Sequence, residues 1–288
     1  MPSFVFIMCG IYLELFVSDL DGTLLNSKAQ LSDYSRKTIN RLIDKGLNFT
    51  IATARAVNSA SKILSGVNFK LPVILMNGVL IYNTVTAEYE RAYTIKKELV
   101  KLICEEKNKC SVNGFMYTIN GNELTANYDS ISTPQMKRSY DEGVKIYNKK
   151  YKQLPELYKT DDDVIYFAFT NTKEKLEPLY NKLKDTDGLE LTFYFDIYTE
   201  NLWYLEIFSS DASKKNAVLY ICNKYKFDKI TCFGDNTNDL PMFEISNCKY
   251  AVENANEIVK EKCDSIIESN DDDGVAKLLI KMEGNLNG

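Results

Sequence analysis

The sequence predicts an α/β protein: a Rossmann-like core with a parallel sheet, interrupted by an inserted α+β module. The chain has 288 residues and 45% hydrophobic content, enough to bury a sizeable core. At both ends of the sequence, apolar runs of strand length alternate with helical stretches, which is typical of a parallel sheet covered by helices. In the middle, strand-like runs return in pairs, which favours an antiparallel sheet.

The N-terminal part reads as alternating strands and helices. Ser32 can cap the first helix, and Gly46 can end it. Each strand is a short apolar run that ends in a polar turn. The predicted elements are strand Leu13–Ser18, helix Ser32–Gly46, strand Leu47–Ala52, helix Val57–Leu64 and strand Val73–Met76. This order predicts that the three strands lie in one parallel sheet.

The pattern changes near Asn83. An Asn120-Gly121 pair separates two alternating runs, which is a hairpin signal. We expect an antiparallel sheet here, with helices on one face. The predicted elements are helix Lys96–Asn108, strands Gly114–Ile119, Glu123–Asn127 and Val164–Thr170, helix Lys173–Lys184, and strands Leu189–Tyr194 and Trp203–Phe208.

From about Ser209 the parallel pattern resumes. The predicted elements are helix Ala212–Lys224, strand Lys229–Phe233, helix Asp239–Ile245, strand Tyr250–Val252 and helix Gly274–Lys281. We therefore predict a discontinuous core domain, residues 1–84 and 208–288, and an inserted α+β domain, residues 85–207.

Composition excludes several function classes. The sequence contains no histidine, which rules out Ser-His-Asp and Cys-His catalysis and zinc sites that need imidazole. Acid–base chemistry must then use carboxylates, Lys, Tyr or Cys. With 35 basic and 40 acidic residues, the net charge is −5, so we expect neither nucleic acid nor an anionic membrane as a partner.

Cysteine usage and the N-terminus favour a cytoplasmic protein. The seven cysteines are spread along the chain and none forms a C-x-x-C pair, which is typical of reduced thiols. Met1–Gly10 is apolar but lacks a basic region and a cleavage site, so we interpret it as an extension ahead of Met8. No run approaches the roughly 20 apolar residues that would span a bilayer.

Carboxylates follow two of the predicted core strands. Asp19 and Asp21 lie after the first strand, with Gly22 allowing a tight turn, and residues 234–239 follow Lys229–Phe233. The carboxyl ends of parallel strands form the ligand-binding edge of such folds. Clustered carboxylates repel one another, and a hard cation such as Mg²⁺ relieves that repulsion. Each Asp alone could instead simply cap a turn.

These motifs give the chain a clear resemblance. It resembles a haloacid dehalogenase-like phosphatase of the Cof type, with a large cap domain inserted between the second and third motifs. The four motifs are Asp-Leu-Asp-Gly-Thr at 19–23, Ala-Thr-Ala-Arg at 52–55, Ser-Lys-Lys-Asn-Ala at 213–217 and Gly-Asp-Asn-Thr-Asn-Asp at 234–239. Residues 251–255 and 273–276 also resemble that subgroup.

The resemblance implies a reaction in which carboxylates do the chemistry. Asp19 matches the nucleophile that forms an aspartyl phosphate, and Asp21 matches the general acid and base. Asp19, the backbone carbonyl of Asp21 and Asp235 would bind Mg²⁺, and Asp239 would support the ion through its water shell.

The same resemblance implies a phosphate site. Thr53, the backbone amide of Ala54 and Lys214 would bind phosphoryl oxygens, and Asn238 would assist Lys214 or the phosphate. Lys215 is the competing lysine, and the resemblance implies that it points outward. Two positions depart from the family pattern, because Ala54 and Lys215 stand where Gly is usual.

The resemblance leaves the substrate open. It implies small phosphorylated metabolites such as sugar phosphates, sugar-alcohol phosphates or nucleotide-like cofactors. The inserted domain is rich in tyrosines, which pack in cores more often than they contact ligands; they include Tyr117, Tyr128, Tyr166, Tyr194, Tyr198 and Tyr204. The alternatives are a phosphomutase or phosphotransferase of the same fold, or a non-catalytic regulatory binding protein. The sequence does not indicate the oligomeric state.

Overall fold

The computed structural model describes residues 13–195 and 201–286. The interpretation of Met1–Gly10 and the residue Tyr198 lie outside the described residues. The chain forms two compact units. The first unit comprises the described residues up to Ile51, Asn68–Leu71 and the described residues from Val218 onward, and the second comprises Ala52–Val67 and Pro72–Ala217. The boundaries of an inserted domain at 84/85 and 207/208 stay a prediction.

The strands and helices are numbered in chain order. The strands are β1 (Glu14–Ser18), β2 (Asn48–Ile51), β3 (Val73–Leu75), β4 (Leu80–Asn83), β5 (Glu88–Ala92), β6 (Gly114–Asn120), β7 (Glu123–Tyr128), β8 (Lys150–Gln153), β9 (Asp163–Asn171), β10 (Leu189–Phe195), β11 (Trp203–Ser209), β12 (Lys229–Gly234), β13 (Cys248–Val252) and β14 (Ser265–Ile267). The helices are α1 (Asp33–Asp44), α2 (Val57–Ile63), α3 (Lys97–Lys109), α4 (Pro134–Lys145), α5 (Lys173–Leu183), α6 (Lys214–Tyr225), α7 (Leu240–Phe243), α8 (Glu257–Lys260) and α9 (Gly274–Leu286).

The first unit is built on a five-stranded parallel sheet. Its strand order is β14, β13, β12, β1, β2. The apolar residues of β1 are buried on both faces, as a strand in a covered parallel sheet requires. Ser18 lies opposite both Phe233 and Ile51. The carboxyl ends of β1 and β12 therefore meet at one edge, as the sequence predicts.

The second unit contains a six-stranded sheet in the order β10, β11, β9, β6, β7, β8. Helices α3 and α5 bury an apolar cluster against one face, which includes Met116 and Phe167. Helix α4 packs Met136 near Phe115, whose side chain points to the opposite face because neighbouring strand residues alternate. Helix α4, which is not among the predicted elements, therefore packs on the second face. The expectation that helices cover only one face is wrong.

A three-stranded antiparallel sheet, β3–β4–β5, corrects another expectation. The sequence predicts the third strand as a member of the parallel sheet, but β3 pairs with β4 and makes only an isolated parallel bridge, Ala52 to Ile74. The reason is the turn at residues 76–78, which reverses the chain. The prediction of an α/β core with an additional α+β module is nevertheless confirmed.

Two further observations concern membrane-spanning segments and cysteines. Within residues 13–195 and 201–286, no helix combines the length and the apolar character that a bilayer-spanning segment needs. The six described cysteines are all free thiols.

Candidate active site

Three carboxylates converge at the carboxyl edge of the parallel sheet. Asp19, Asp235 and Asp239 each present an oxygen, and these oxygens lie within 4.8 Å of one another. Asp19 and Asp239 are buried, and Asp235 is half-buried. Such close carboxylates repel one another in a poorly solvated place unless positive charge is supplied. The structure thus brings together three of the residues predicted to hold a metal.

Asp19 is positioned by the end of β1. Its backbone N–H donates to the carbonyl oxygen of Phe233, at 3.0 Å, which continues the β1–β12 pairing by one residue. The next turn is held by the Leu20 carbonyl, which accepts from the backbone N–H groups of Leu24 and Leu25 at 3.0 and 2.8 Å. Asp21 lies on this turn and is exposed, outside the three-carboxylate cluster.

Gly22 allows this turn to approach Asp235. Its φ is 82°, and a methyl group in place of its hydrogen would lie 2.4 Å from Asp235 Oδ2. Thr23 Oγ1 donates to Asp235 Oδ1 at 2.9 Å, and Asn254 Nδ2 donates to the Gly22 carbonyl at 2.7 Å. The first bond fixes the turn against Asp235 and the second ties it to Asn254, so the Asp-Leu-Asp-Gly-Thr spacing has a direct structural reason.

Asp239 holds the loop after β12. Its side chain is fully buried, and its Oδ2 accepts from the backbone N–H groups of Asp235 and Asn236 at 3.0 and 3.1 Å. Gly234 leaves room for it, because a methyl group there would lie 2.7 Å from Asp239 Oδ2. Asp239 therefore orients Asp235, in addition to the metal role predicted for it. Asn238, on the same loop, is exposed.

Thr53 sits at a backbone junction in the second unit. It is 1% exposed; its N–H donates to the Ile74 carbonyl and its own carbonyl accepts from Asn77, both at 3.0 Å. Its Oγ1 accepts from the Arg55 N–H at 3.1 Å. Ala54, between them, is exposed. An exposed backbone turn beside a fixed hydroxyl is a suitable arrangement for binding an anion.

Lys214 begins α6 and is 2% exposed. Ser213 caps this helix, since its Oγ accepts from the Asn216 N–H at 3.0 Å. Lysine side chains are almost never fully buried unless they are paired, so this burial distinguishes Lys214 from an ordinary surface lysine. Lys215 is half-buried, and its outward orientation stays a prediction.

Residues 76–78 are part of the site region that the sequence reasoning missed. Met76, Asn77 and Gly78 all have positive φ, 50°, 55° and 97°. A methyl group on Gly78 would lie 2.2 Å from the Ser213 carbonyl oxygen. This turn therefore links Thr53, through Asn77, to the start of α6. The available signal was the Asn-Gly pair inside an apolar run, and strained backbone of this kind clusters at functional sites.

The donor set of the three-carboxylate cluster fits a hard cation. Carboxylate oxygens are the ligands that Mg²⁺ prefers, and the close approach of Gly22 keeps the Asp235 carboxylate in place. The histidine-free sequence offers no imidazole for a softer metal. A metal site is therefore consistent with the residues present.

Clustered carboxylates at the carboxyl edge of a parallel sheet are typical of α/β enzymes that act on anionic substrates. Residues 16–279 match the sequence profile of the haloacid dehalogenase-like hydrolases, and the chain belongs to that family. The two curated relatives described below are phosphatases, and the protein is a phosphoric monoester hydrolase. The resemblance seen in the motifs is thereby confirmed.

The similarity extends over almost the whole chain. The Bacillus subtilis protein 5-amino-6-(5-phospho-D-ribitylamino)uracil phosphatase YwtE is 28% identical, covering 92% of this chain and 96% of that one. Phosphatase YwpJ of the same organism is 27% identical, covering 93% and 99%. The solved structure of TM0651 from Thermotoga maritima matches with a TM-score of 0.75 and 27% identity, covering 94% and 97%.

Proposed function

We propose that the protein is a Mg²⁺-dependent phosphatase that hydrolyses small phosphorylated metabolites through an aspartyl phosphate on Asp19. The observation that supports this most strongly is the convergence of Asp19, Asp235 and Asp239 within 4.8 Å. A nucleophile and an acid–base residue are not needed by a protein that only binds, and two further carboxylates lie beside Asp19. They are useful when the nucleophile must meet an anionic phosphate, because a cation between them removes the repulsion.

In the first half-reaction, an Asp19 oxygen attacks phosphorus and the bond from phosphorus to the ester oxygen breaks. Asp21 gives its proton to the leaving oxygen, so the alcohol departs neutral. In the second half-reaction, Asp21 takes a proton from water, the water oxygen bonds to phosphorus and the Asp19–phosphorus bond breaks. Asp21 is exposed, so its carboxyl group is accessible to a leaving group and to water.

Asp19, the backbone carbonyl of Asp21 and Asp235 would hold Mg²⁺, which supplies positive charge next to the nucleophile and the phosphate. Asp239 would support the ion while it orients Asp235. Thr53, the Ala54 amide and Lys214 would bind the phosphoryl oxygens, with Asn238 assisting. Burial of Thr53 and Lys214 supports these roles, because fixed donors need no reorganisation during the reaction.

The substrate class we propose is sugar phosphates and sugar-alcohol phosphates. The support is that one relative, YwtE, is named for a substrate with a phosphorylated ribityl chain. The free thiols of the described cysteines support a cytoplasmic location for the reaction.

The direct test is a phosphate-release screen of the purified protein over a library of phosphorylated metabolites with Mg²⁺. We expect release of inorganic phosphate that stops when a chelator removes the ion. Isomerised phosphate esters formed only with a bisphosphate activator would instead show a phosphomutase. No reaction with any ester would favour the non-catalytic binding protein.

A further inference from the structure

Two segments near the C-terminus share the family's sequence pattern but hold none of the groups proposed for the reaction. They are residues 251–255 and 273–276, and both belong to the first unit. The first segment begins in β13, where Ala251 lies opposite Gly234 of β12. It therefore leaves the parallel sheet at the same edge as the carboxylates, close enough to act on the turn that follows β1.

Asn254 connects that turn to the second segment. Its side chain is exposed, yet both ends of its amide form hydrogen bonds. Nδ2 donates to the Gly22 carbonyl at 2.7 Å, and Oδ1 accepts from the backbone N–H of Asn270 at 3.0 Å. One neighbour is an acceptor and the other a donor, so only this orientation of the amide satisfies both. Asn254 therefore ties the Gly22 carbonyl to Asn270.

Asn270 holds the other end of the same turn. It is 8% exposed, and its Nδ2 donates to the Leu25 carbonyl at 2.8 Å in a buried hydrogen bond. Leu25 in turn forms a parallel bridge with Asp21. The two asparagines thus fix the carbonyl groups of Gly22 and Leu25. Asp21 directly precedes the first of these residues and pairs with the second, so its backbone is held from both sides.

The support behind Asn270 is itself anchored. Asp273 ends the short helical turn that begins at Asn270. Its carboxylate accepts from Ser35 Oγ at 2.6 Å and also from Ser32 Oγ. Ser32 caps helix α1, because its Oγ accepts from the Ser35 N–H at 2.9 Å. The second segment is therefore attached to the start of α1, which gives the two asparagines a fixed base.

The loop that contains Asn254 also contacts the loop after β12. The backbone N–H of Asn256 donates to the Asp235 carbonyl at 2.8 Å. Residues 254–256 therefore touch both the turn with Asp21 and the loop with Asp235. These contacts oppose a shift of one carboxylate relative to the other.

We propose that Asn254 is a positioning residue for Asp21, whose turn it fixes through the Gly22 carbonyl and through Asn270. This inference rests on the proposed function, in which Asp21 gives its proton to the leaving oxygen. A general acid must lie within hydrogen-bond reach of the atom that it protonates. A misplacement of about 1 Å can cost about a hundredfold in rate. An amide is neither acid nor base at ordinary pH, so Asn254 acts on proton transfer through Asp21.

This role makes the effect of Asn254 depend on the leaving group. The oxygen of an alkyl ester needs a proton as it departs, whereas para-nitrophenyl phosphate releases a stable anion that needs none. The quantity kcat/KM covers the steps up to departure of the alcohol and formation of the aspartyl phosphate. Loss of positioning should therefore lower kcat/KM for an alkyl ester far more than for the aryl ester.

The test compares Asn254→Ala and Asn254→Asp with the wild type on ribitol phosphate and para-nitrophenyl phosphate, with Mg²⁺. If ribitol phosphate is not hydrolysed, the fastest alkyl ester of the phosphate-release screen replaces it. We expect kcat/KM on the alkyl ester to fall by about tenfold to a hundredfold in both variants, and on the aryl ester to stay near the wild-type value. Asn254→Asp keeps the oxygen that accepts from Asn270 and loses only the donor for Gly22. Because the side chain is exposed, neither variant leaves a cavity in the core.

A double variant shows whether Asn254 acts through Asp21. Asp21→Asn alone should lose activity on the alkyl ester, and adding Asn254→Ala should then cost nothing further, since groups that act as a unit are not additive.

Asn247→Ala is the matched control, because Asn247 Oδ1 accepts from the Ile230 N–H at 2.9 Å near the amino end of β12, away from the carboxylates. It removes a side-chain hydrogen bond to the backbone, as Asn254→Ala does. It should lower the unfolding temperature by a similar few degrees and leave both activities unchanged.

Equal losses on the two esters, a full additional loss in the double variant, or no loss in Asn254→Ala would overturn the positioning role while leaving the phosphatase function intact. If Asp21→Asn hydrolyses the alkyl ester as fast as the wild type, the acid–base role proposed for Asp21 fails, and the role of Asn254 fails with it. A wild type that hydrolyses no alkyl ester and no aryl ester overturns the proposed function itself. A wild type that hydrolyses only the aryl ester overturns the proposed substrate class together with this role.

Discussion

Gly22 illustrates how one residue type without a side chain can decide whether a site forms. The turn after β1 must approach Asp235 so closely that a methyl group would lie 2.4 Å from a carboxylate oxygen. The sequence predicted a glycine turn that redirects Asp21. The structure adds that the same glycine makes room for Asp235, from a part of the chain more than two hundred residues away.

Gly22→Ala should therefore lose hydrolysis as well as stability. The positive φ costs an alanine about 1–2 kcal/mol, and the displaced Asp235 should lower kcat/KM by about a hundredfold. Gly46→Ala is the control, since Gly46 has a φ of 101° but nothing within 4 Å of the added methyl. Phosphate release and thermal unfolding of both variants check this. Equal activity in the two variants would contradict the role given to Gly22.

Lys214 and Lys215 are neighbours that the structure separates by burial. Lys214→Met should reduce phosphate release by about a hundredfold, because a buried positive charge for the phosphoryl group is lost. Lys215→Met should retain most activity at an unchanged unfolding temperature. If the losses are reversed, Lys215 and not Lys214 binds the phosphoryl group.

Glu206 should give the folding stability a recognisable pH dependence. Burial raises its pKa above the ordinary value of 4.5, so the folded state binds the proton more tightly than the unfolded chain. This contribution to the free energy of unfolding is full below 4.5 and is lost as the pH rises through the raised value. Glu206→Gln cannot ionise, so its unfolding temperature should gain on the wild type as the pH rises from about 4 to about 8. A pH-independent difference would contradict the shift.

At the scale of elements, the strands that position the carboxylates were predictable and the turn at residues 76–78 was not. Strands β1 and β12 are apolar runs followed by Asp-rich loops, so local pattern and tertiary role agree. The turn depends on three consecutive positive φ values, which are held by long-range contacts of Asn77 with Thr53 and of Gly78 with Ser213. Helix α4 does carry a local signal, because Thr133 caps it and Pro134 stands in its first turn.

Gly78→Ala tests the importance of this turn. The added methyl would lie 2.2 Å from the Ser213 carbonyl oxygen, so the start of α6 must move. We expect a loss of about 3 kcal/mol or more in the free energy of unfolding, from overpacking and the positive φ together, and a large loss of hydrolysis. Gly121→Ala, with open space around its methyl, should cost only the strain of its positive φ. Indistinguishable variants would contradict the link between the turn and α6.

For the whole molecule, the sequence predicted the family, the α/β class and the residues of the carboxylate cluster, since short motifs specify them. It could not predict which strands of the second unit are neighbours, because the pairing across β9, β10 and β11 exists only in the folded sheet. The absence of histidine fits this chemistry, in which carboxylates would serve as nucleophile, acid and base.

The most direct measurement of the central proposal is phosphate release by Asp19→Asn with Mg²⁺. Removing the nucleophile should lower kcat by about ten-thousandfold or more on every substrate, as expected when a covalent step is lost. The unfolding temperature should stay near that of the wild type, and a chelator should abolish wild-type activity. Undiminished turnover by folded Asp19→Asn would contradict an aspartyl phosphate at this residue.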